Sequence, residues 1–589
     1  MQRRAGGRLG LRFSVISAAA QIAKKTGGSA IIPFVRPVLS AEQIREIDRL
    51  TVENYHTSSL LLMEAASAAC MEAIRARMDG QIAGRTALIL CGKGNNGGDG
   101  AALARALSRA GMHCSVVLFG KLADTSGDAR TNFESVSRLA SFEAGSSDAP
   151  PPLTFIECVG VAGWEQIAKP RRAYDVIVDA LFGTGLRRPL EGVFLKVIEH
   201  LAMLKEARDR ASGLRPLVLA IDIPSGLDAD KPKPIGPAIE ADLTVTFTAA
   251  KLANVLSPAC DFGGELIVAD IGSPASLIQA ARPWLFLTEA EDARAWLVST
   301  RYTPESYKNT HGHVLLAAGS RGYSGAAALS GNAAMRSGAG LVTVATPASA
   351  QVSVASAAIP EVITTALAET DRGAISDEAV EHFLKLAQKM TVVAVGPGLT
   401  IDDERTRRFV RAIVERRSTP CVIDADGLNA LAPWDLKGTD EQPLILTPHA
   451  GEMLRLLGTT DKSALDDRVA VAREFATAHH VLLVLKGARS LLATPDGRVF
   501  INPTGNAGLG TAGAGDTLTG LISGFLAQAY GTLEDRADPV AATLAALYVG
   551  GLAGDFAARK LGMRTMLASD IREHFTDAIR SLDPRGEQP

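Results

Sequence analysis

Twice in this chain a short apolar run empties into glycines that open a helix pattern. The first is Ala87-Leu88-Ile89-Leu90, running into Cys91-Gly92-Lys93-Gly94-Asn95-Asn96-Gly97-Gly98-Asp99-Gly100. The second lies near the other end, where Asn506-Ala507-Gly508-Leu509-Gly510-Thr511-Ala512-Gly513-Ala514-Gly515-Asp516 meets the apolar helix pattern Leu518 to Leu526. Glycines that open a helix present free backbone N–H groups and a positive dipole end, which suits an anion. Two such sites predict two phosphate-bearing ligands, or one ligand handled twice.

The same rhythm runs through both halves. Thr86–Leu90, Cys114–Leu118, Val176–Ala180, Leu217–Ile221, Leu243–Phe247 and Glu265–Ala269 read as strands separated by amphipathic helices. Continuous apolar strands spaced in this way indicate a parallel sheet buried on both faces. The rhythm breaks around Pro274, Pro283 and Pro304, so residues 273–305 read as a linker. It restarts with His313–Ala317, Leu341–Ala345, Val392–Val395, Val422–Asp424, Leu444–Leu446 and Leu482–Leu485. Leu491–Thr494 and Val499–Asn502, joined by Pro495-Asp496-Gly497-Arg498, predict a hairpin at the sheet edge. The fold class is therefore α/β, with two doubly wound domains at 40–272 and 306–582; 589 residues are too many for one core.

Residues 1–39 read as a basic leader without packed structure, carrying Arg3, Arg4, Arg8, Arg12, Lys24, Lys25 and Arg36 and no acid. A transit peptide has the same composition. Ser40 and Gln43 then form a capping box ahead of Ile44, Ile47 and Leu50. A net charge of −3 supplies no field for nucleic acid or an anionic membrane. No apolar run approaches the ~20 residues of a membrane span. The six cysteines stand singly, which fits buried thiols in a reducing, cytoplasmic setting.

Ligands of open parallel sheets collect beyond the carboxyl ends of strands. In the first half those ends carry Asn95-Asn96-Gly97-Gly98-Asp99, then Asp179 followed by Gly183-Thr184-Gly185-Leu186-Arg187-Arg188-Pro189, then Asp222 with Ser225 and Asp228, and finally Lys251. Asn, Asp and Ser oxygens from neighbouring strands suit a hard cation, and the glycines with Arg187 or Arg188 suit a pyrophosphate. Turns and helix caps are the plain alternative for each residue. An ordinary dinucleotide-binding dehydrogenase is disfavoured. The glycine loop is too long, and no acid stands near the end of Val116–Leu118 to hold a ribose.

Cys91–Gly100, Val178–Pro189 and Ile221–Asp228 together resemble the fingerprints of NAD(P)H-hydrate epimerases, over residues 40 to 272 and on a Rossmann-like sheet. The resemblance implies that Asn95 to Asp99, Gly183 to Pro189 and Asp222 bind a hydrated dinucleotide. It also implies a potassium ion held by Asn96, Asp179 and Ser225. Hydration at C6 of the nicotinamide leaves R and S epimers, and interconverting them requires loss and return of a substituent. A carboxylate beside the ring would relay the proton, and Asp179 is the sequence candidate.

In the second half the chemistry-bearing segments are Gly319 to Ala326, Gly396-Pro397-Gly398-Leu399, Asp424 to Asn429, Thr447-Pro448-His449-Ala450-Gly451-Glu452, Lys486-Gly487-Ala488-Arg489-Ser490 and Gly513 to Asp516. Amides at a helix start can hold charge on a transferring phosphoryl group, and an Asp beside them can deprotonate an alcohol. A helix cap is the alternative reading of Asp516. The set resembles the ribokinase-like superfamily and, within it, the ADP/ATP-dependent NAD(P)H-hydrate dehydratases. That resemblance implies substrate contacts at Ala326, Gly398, His449 and Asp516, and nucleotide contacts at Lys486 to Ser490 and Gly515. It further implies Mg2+ in the dehydratase, ADP as co-substrate, and a homo-oligomer. The usual His-Lys-Gly entrance is Tyr307-Lys308-Asn309 here, and the Gly after Gly-Pro-Gly-Leu is Thr400. A small-molecule kinase with a nucleotide-sensing first domain is the competing expectation.

Overall fold

The computed structural model describes residues 35–144, 151–168, 174–209 and 216–585; residues 1–34 of the expected leader lie outside them. The strands are β1 (Arg36–Pro37), β2 (Thr86–Cys91), β3 (His113–Phe119), β4 (Leu153–Cys158), β5 (Val176–Ala180), β6 (Leu217–Ile221), β7 (Leu243–Phe247), β8 (Glu265–Ala269), β9 (Leu285–Leu287), β10 (His313–Ala317), β11 (Leu341–Pro347), β12 (Ile363–Leu367), β13 (Val392–Val395), β14 (Cys421–Ile423), β15 (Leu444–Leu446), β16 (Leu482–Leu485), β17 (Leu491–Ala493) and β18 (Val499–Ile501). Among the described residues they form two sheets. One runs β4-β3-β2-β5-β6-β7-β8 and is parallel throughout. The other runs β1-β9-β18-β17-β16-β15-β14-β13-β10-β11-β12.

Each sheet has one place where the winding reverses. The chain leaves β2 toward β3 and β4, then returns to lay β5 on the other side of β2. It likewise leaves β10 toward β11 and β12 before β13 pairs on the opposite flank. At such points the outgoing loops diverge and open a crevice for a ligand. The glycine loops after β2, β10 and β13 all begin there.

Among the described residues the strands absent from the sequence expectation are β1, β4, β9 and β12, and of these β1, β4 and β12 are sheet edges. An edge strand keeps one flank in solvent, so its residues need not form a continuous apolar run. Leu-Thr-Phe-Ile-Glu-Cys and Ile-Thr-Thr-Ala-Leu are half-exposed accordingly. The β17–β18 hairpin forms as expected but lies inside the sheet, because β9 pairs parallel to β18 and β1 pairs antiparallel to β9.

That pairing corrects the linker expectation. Residues 273–305 contribute β9 and the helix Ala290–Ser299 to the second layered unit. Trp296 of this helix is 1 % exposed and stacks on Phe525 with ring centroids 4.1 Å apart. The prolines of this stretch bound short ordered elements. The end of the expected leader is also built in: Val38 N donates to Leu285 O (2.8 Å) and Leu39 N to Ala250 O (2.9 Å). Residues 36–39 thus form a strap that touches both sheets.

The predicted capping box is present, with Ser40 accepting from Gln43 N and the Gln43 side chain accepting from Ser40 N. It starts the helix Ala41–Tyr55, whose Ile44, Ile47 and Thr51 face inward. The sequence showed no long apolar run, yet the helix Pro539–Leu561 has the length and mean hydropathy (1.5) of a membrane span. It is a core helix: 72 % of that window is buried, against the helices Ala514–Leu533, Ala290–Ser299 and Phe575–Leu582.

Candidate active sites at the two reversals

Beyond the ends of β2, β5, β6 and β7 lies a cavity of about 970 Å³. Asn95, Asn96, Asp99, Gly183, Thr184, Gly185, Leu186, Arg188, Pro189, Asp222 and Lys251 line it. The helix Ala41–Tyr55 closes it from the side with Ile44, Asp48 and Val52. Gly183 leaves little room above its Cα: a Cβ there would meet Asp222 Oδ2 at 3.2 Å and Asn96 Oδ1 at 3.3 Å. Those two side chains therefore converge on one spot.

Several predicted contacts turn out to have other work. Gly97 and Gly98 do not line the cavity. A Cβ on Gly97 would lie 1.8 Å from Gly92 O, and one on Gly98 2.9 Å from Ala129 Cα. Both are glycine so that the helix Asn95–Arg109 can seat against its neighbours. Arg187 is turned away into an ion pair with Asp228 and another with Asp230 (2.9 Å), which leaves Arg188 as the cavity-side arginine.

Asp179 is fully buried and also off the cavity lining. Its Oδ1 accepts from Ser225 Oγ (2.6 Å) and Leu181 N (3.2 Å), and its Oδ2 from Ser225 N (2.7 Å). Burial pushes its pKa up to about 6, against the pull of those hydrogen bonds. The expectation that Asp179 relays a proton to the substrate ring is corrected on this ground: its carboxyl faces the interior, off the cavity that would hold the ring. Asp222 is the strand-end carboxylate that reaches the cavity. Its Oδ1 accepts from Lys251 Nζ (2.6 Å) and Thr246 Oγ1 (2.9 Å). Lys251 is itself 1 % exposed and donates further to Thr246 Oγ1 and Phe247 O.

Asn96, Asp179 and Ser225 remain a coherent oxygen set for a weakly charged cation. They supply one carboxylate, one amide and one hydroxyl. No basic side chain takes part in holding Asp179. A buried carboxylate with no cation beside it is costly, and a monovalent ion would relieve it.

In the second sheet, polar residues at successive strand ends meet the start of the helix Ala514–Leu533. Asp424 follows β14, Thr447 follows β15 and Lys486 follows β16. Asp424 Oδ1 accepts from Lys486 Nζ (2.7 Å) and Thr447 Oγ1 (2.8 Å), and its Oδ2 accepts from Thr519 Oγ1 (2.7 Å). Burial opposes ionisation of Asp424, yet Lys486 and the two hydroxyls hold its pKa below the usual carboxylate range. Lys486 also lies 3.8 Å from Glu452 Oε2. Burial works against its ammonium, but Asp424, Glu452 and Asp516 outweigh that and hold its pKa above the ordinary lysine value.

Gly513 takes φ 82, which turns the chain sharply into the helix. A Cβ on Gly515 would sit 3.4 Å from Lys486 Nζ and 3.7 Å from Asp424 Oδ2, so the helix start rests on the Asp424–Lys486 pair. Asp516 follows. Burial and the Asp424 charge raise its pKa to about 6, with Lys486 pulling the other way. A carboxyl poised near neutrality at a helix start can exchange protons at working pH.

Ala326 and Gly398 are brought together: a Cβ on Gly398 would lie 2.9 Å from Ala326 Cβ. His449 is exposed and caps its helix, accepting from Gly451 N (2.9 Å) and Glu452 N (3.3 Å) through Nδ1. Of the expected nucleotide segment, Gly487 and Ala488 are exposed, while Arg489 donates to Pro503 O. Thr400, at the position where the resemblance led to an expectation of glycine, adopts φ 53, the left-handed conformation that glycine takes without strain. The Tyr307-Lys308-Asn309 departure lies far from the chemistry. Its turn contacts Ala527 to Thr532, about 20 Å along the helix from Asp516.

Asp48 was not singled out from sequence, whereas Asp424 opens one of the chemistry-bearing segments. Asp424 had a readable signal, a polar residue following each of three adjacent strands.

The fold and its two reversal-point sites define a two-headed α/β enzyme with a separate centre in each sheet. Comparison with known proteins agrees head by head. The family model for the YjeF-related protein N-terminus matches residues 59–253, and that for NAD(P)H-hydrate dehydratase matches residues 314–577. A bifunctional NAD(P)H-hydrate repair enzyme of Moorella thermoacetica is 38 % identical over 93 % of this chain and 98 % of its own length. One from Thermofilum pendens is 36 % identical over 92 % and 96 %. The chain belongs to the family of bifunctional NAD(P)H-hydrate repair enzymes. Among solved structures, an ADP/ATP-dependent NAD(P)H-hydrate dehydratase from Bacillus subtilis co-crystallised with ATP/Mg2+ is 31 % identical, covers 50 % of this chain and 98 % of its own, and has a TM-score of 0.42.

Proposed function

We propose that the first domain equilibrates the R and S forms of hydrated NADH and NADPH, and that the second dehydrates the S form at the expense of ADP, giving AMP and phosphate. The observation that carries this reading is Asp516: a half-buried carboxyl at a glycine-rich helix start, braced by the Asp424–Lys486 pair. Hydroxide leaves poorly. Phosphorylating the C6 hydroxyl turns it into a good leaving group, and elimination then restores the dihydronicotinamide. Asp516 takes the hydroxyl proton while the amides of Gly513 to Gly515 steady the transferring phosphoryl. Lys486 to Ser490 and Gly515 hold the nucleotide, and Ala326, Gly398 and His449 hold the hydrated cofactor. Mg2+ carried on the nucleotide phosphates would neutralise their charge.

In the first domain Asn95, Asn96, Gly183 to Leu186, Arg188 and Asp222 bind the same cofactor. Asn96, Asp179 and Ser225 would hold potassium, which would balance the buried Asp179 charge and lock the loops after β2, β5 and β6. Asp222 faces the ring and stabilises the cation formed when the C6 substituent leaves. Joining the heads has a chemical reason, since a dehydratase specific for S would strand the R half of the pool. A homo-oligomer in the cytoplasm completes the reading.

The test is to supply mixed hydrated NADH epimers with ADP, then ATP, and follow the near-ultraviolet absorbance of the dihydronicotinamide. Full recovery of both epimers supports the reading. Brisk phosphorylation of sugars or pyrimidine alcohols with the hydrated cofactor untouched would overturn it.

A further inference from the structure

Asp48 is a carboxylate on the epimerase cavity without an assigned role. Asp48 stands on the helix Ala41–Tyr55, four residues after Ile44 and three before Thr51, and so shares their inward face. An acid on the buried face of an amphipathic helix is normally paired. Asp48 is not: its Oδ1 is buried and has no hydrogen-bond partner, and the side chain lines the cavity that holds Asp222 and Gly183. Two of the cations near it are engaged elsewhere. Lys251 spends its donors on Asp222, Thr246 and Phe247, and Arg49 is held by Glu46 and Glu53. The other charged groups lining this space are Arg45 on the same helix, Lys93 and Asp99 from the glycine loop and its helix, Asp128, Arg188 and Glu191.

We propose that Asp48 is the proton carrier of the epimerase reaction, giving a proton to the departing C6 oxygen and taking one from the water that returns. The inference rests on the epimerase reading above. The C6–O bond breaks with both electrons on oxygen, which takes the Asp48 proton and leaves as water. The ring-nitrogen lone pair makes up the deficit at C6, and the resulting cation lies beside the Asp222 carboxylate. Return reverses each step on the other face: a water oxygen forms the new C6–O bond and its surplus proton goes to Asp48. Nothing is consumed, as an epimerisation requires. The environment suits a donor. Burial, with the Asp222 charge and against Lys251, pushes the Asp48 pKa up to about 6.

The test uses the full chain with Asp48→Asn and Asp48→Glu. Exchange of R and S hydrated NADH is measured by chromatography, and dehydration of purified S form is measured in the same preparations. Asp48→Asn is expected to slow exchange about a hundredfold or more while S-form dehydration stays at the parent rate, and Asp48→Glu to recover part of the loss. Exchange by Asp48→Asn within about twofold of parent overturns the proposal. A parent protein that fails to exchange the epimers removes the epimerase reading instead. Should Asp48→Asn melt early, the parent's pH profile decides, after subtraction of the spontaneous rate. A proton donor of this pKa predicts exchange that falls as pH rises past about 6. A flat profile overturns it.

Discussion

Lys486 Nζ donates to Asp424 Oδ1 across 2.7 Å, and the helix that presents Asp516 begins directly on top of that pair. The lysine charge thus reaches the candidate base without a direct hydrogen bond to it, and it tunes the base in a direction that can be measured.

Asp516 has to be ionised to accept a proton, so dehydratase turnover is expected to fall as pH drops through about 6. Lys486 lowers the Asp516 pKa and Glu452 raises it. Lys486→Met should therefore move the acid limb to higher pH and Glu452→Gln to lower pH. Profiles of kcat for the two variants that shift the same way would contradict the electrostatic account.

Asp516→Asn keeps the size and hydrogen-bonding capacity of the side chain but cannot take the proton. Turnover of S-form substrate is expected to drop about a hundredfold to ten-thousandfold, with nucleotide affinity by calorimetry unchanged. R/S exchange in the other domain should be untouched, which serves as the folding control.

Potassium is expected to raise the Tm of the parent protein above its value in sodium or choline at equal ionic strength, by preferential binding to the native state. Asp179→Asn should erase the potassium-specific increment. A parent Tm that ignores the identity of the cation would argue against the ion site.

Gly92→Ala and Gly94→Ala make a paired test of the loop. A Cβ on Gly92 would lie 2.0 Å from Leu181 O, whereas one on Gly94 meets nothing within 4 Å. The first is expected to destabilise by about 3 kcal/mol, because backbone must move, and the second to leave the melting curve nearly unchanged.

The reading from sequence succeeded where burial leaves a clear trace. Strands inside a sheet, such as β5, β6 and β13, are covered on both faces, and their residues form unbroken apolar runs. It failed at β4, β9 and β12, which are short or lie at an edge, so that solvent or a single neighbour decides their composition. At the sites, residue type was legible but direction was not. Arg187 and Arg188 are adjacent and chemically identical, yet one is tied to Asp228 and Asp230 while the other faces the cavity. Asp179 and Asp222 both follow buried strands; only the packing of Ser225 onto the former separates a buried ligand candidate from a cavity wall. Asp48 was obscured by distance along the chain, since nothing in a local pattern says that a first-helix acid will close a crevice built from β2, β5 and β6.

The strap at residues 36–39 and its partner β9 have a practical outcome for anyone who separates the two activities. A dehydratase fragment begun at 306 loses both strands and leaves Val499–Ile501 as a bare rim of unsatisfied amides and carbonyls, a template on which further copies can polymerise. Begun ahead of Leu285, the same fragment keeps that rim covered and retains Trp296 against Phe525. The two catalytic heads are stitched along a shared selvage, so a clean scission follows the weave of the strands and not the prolines.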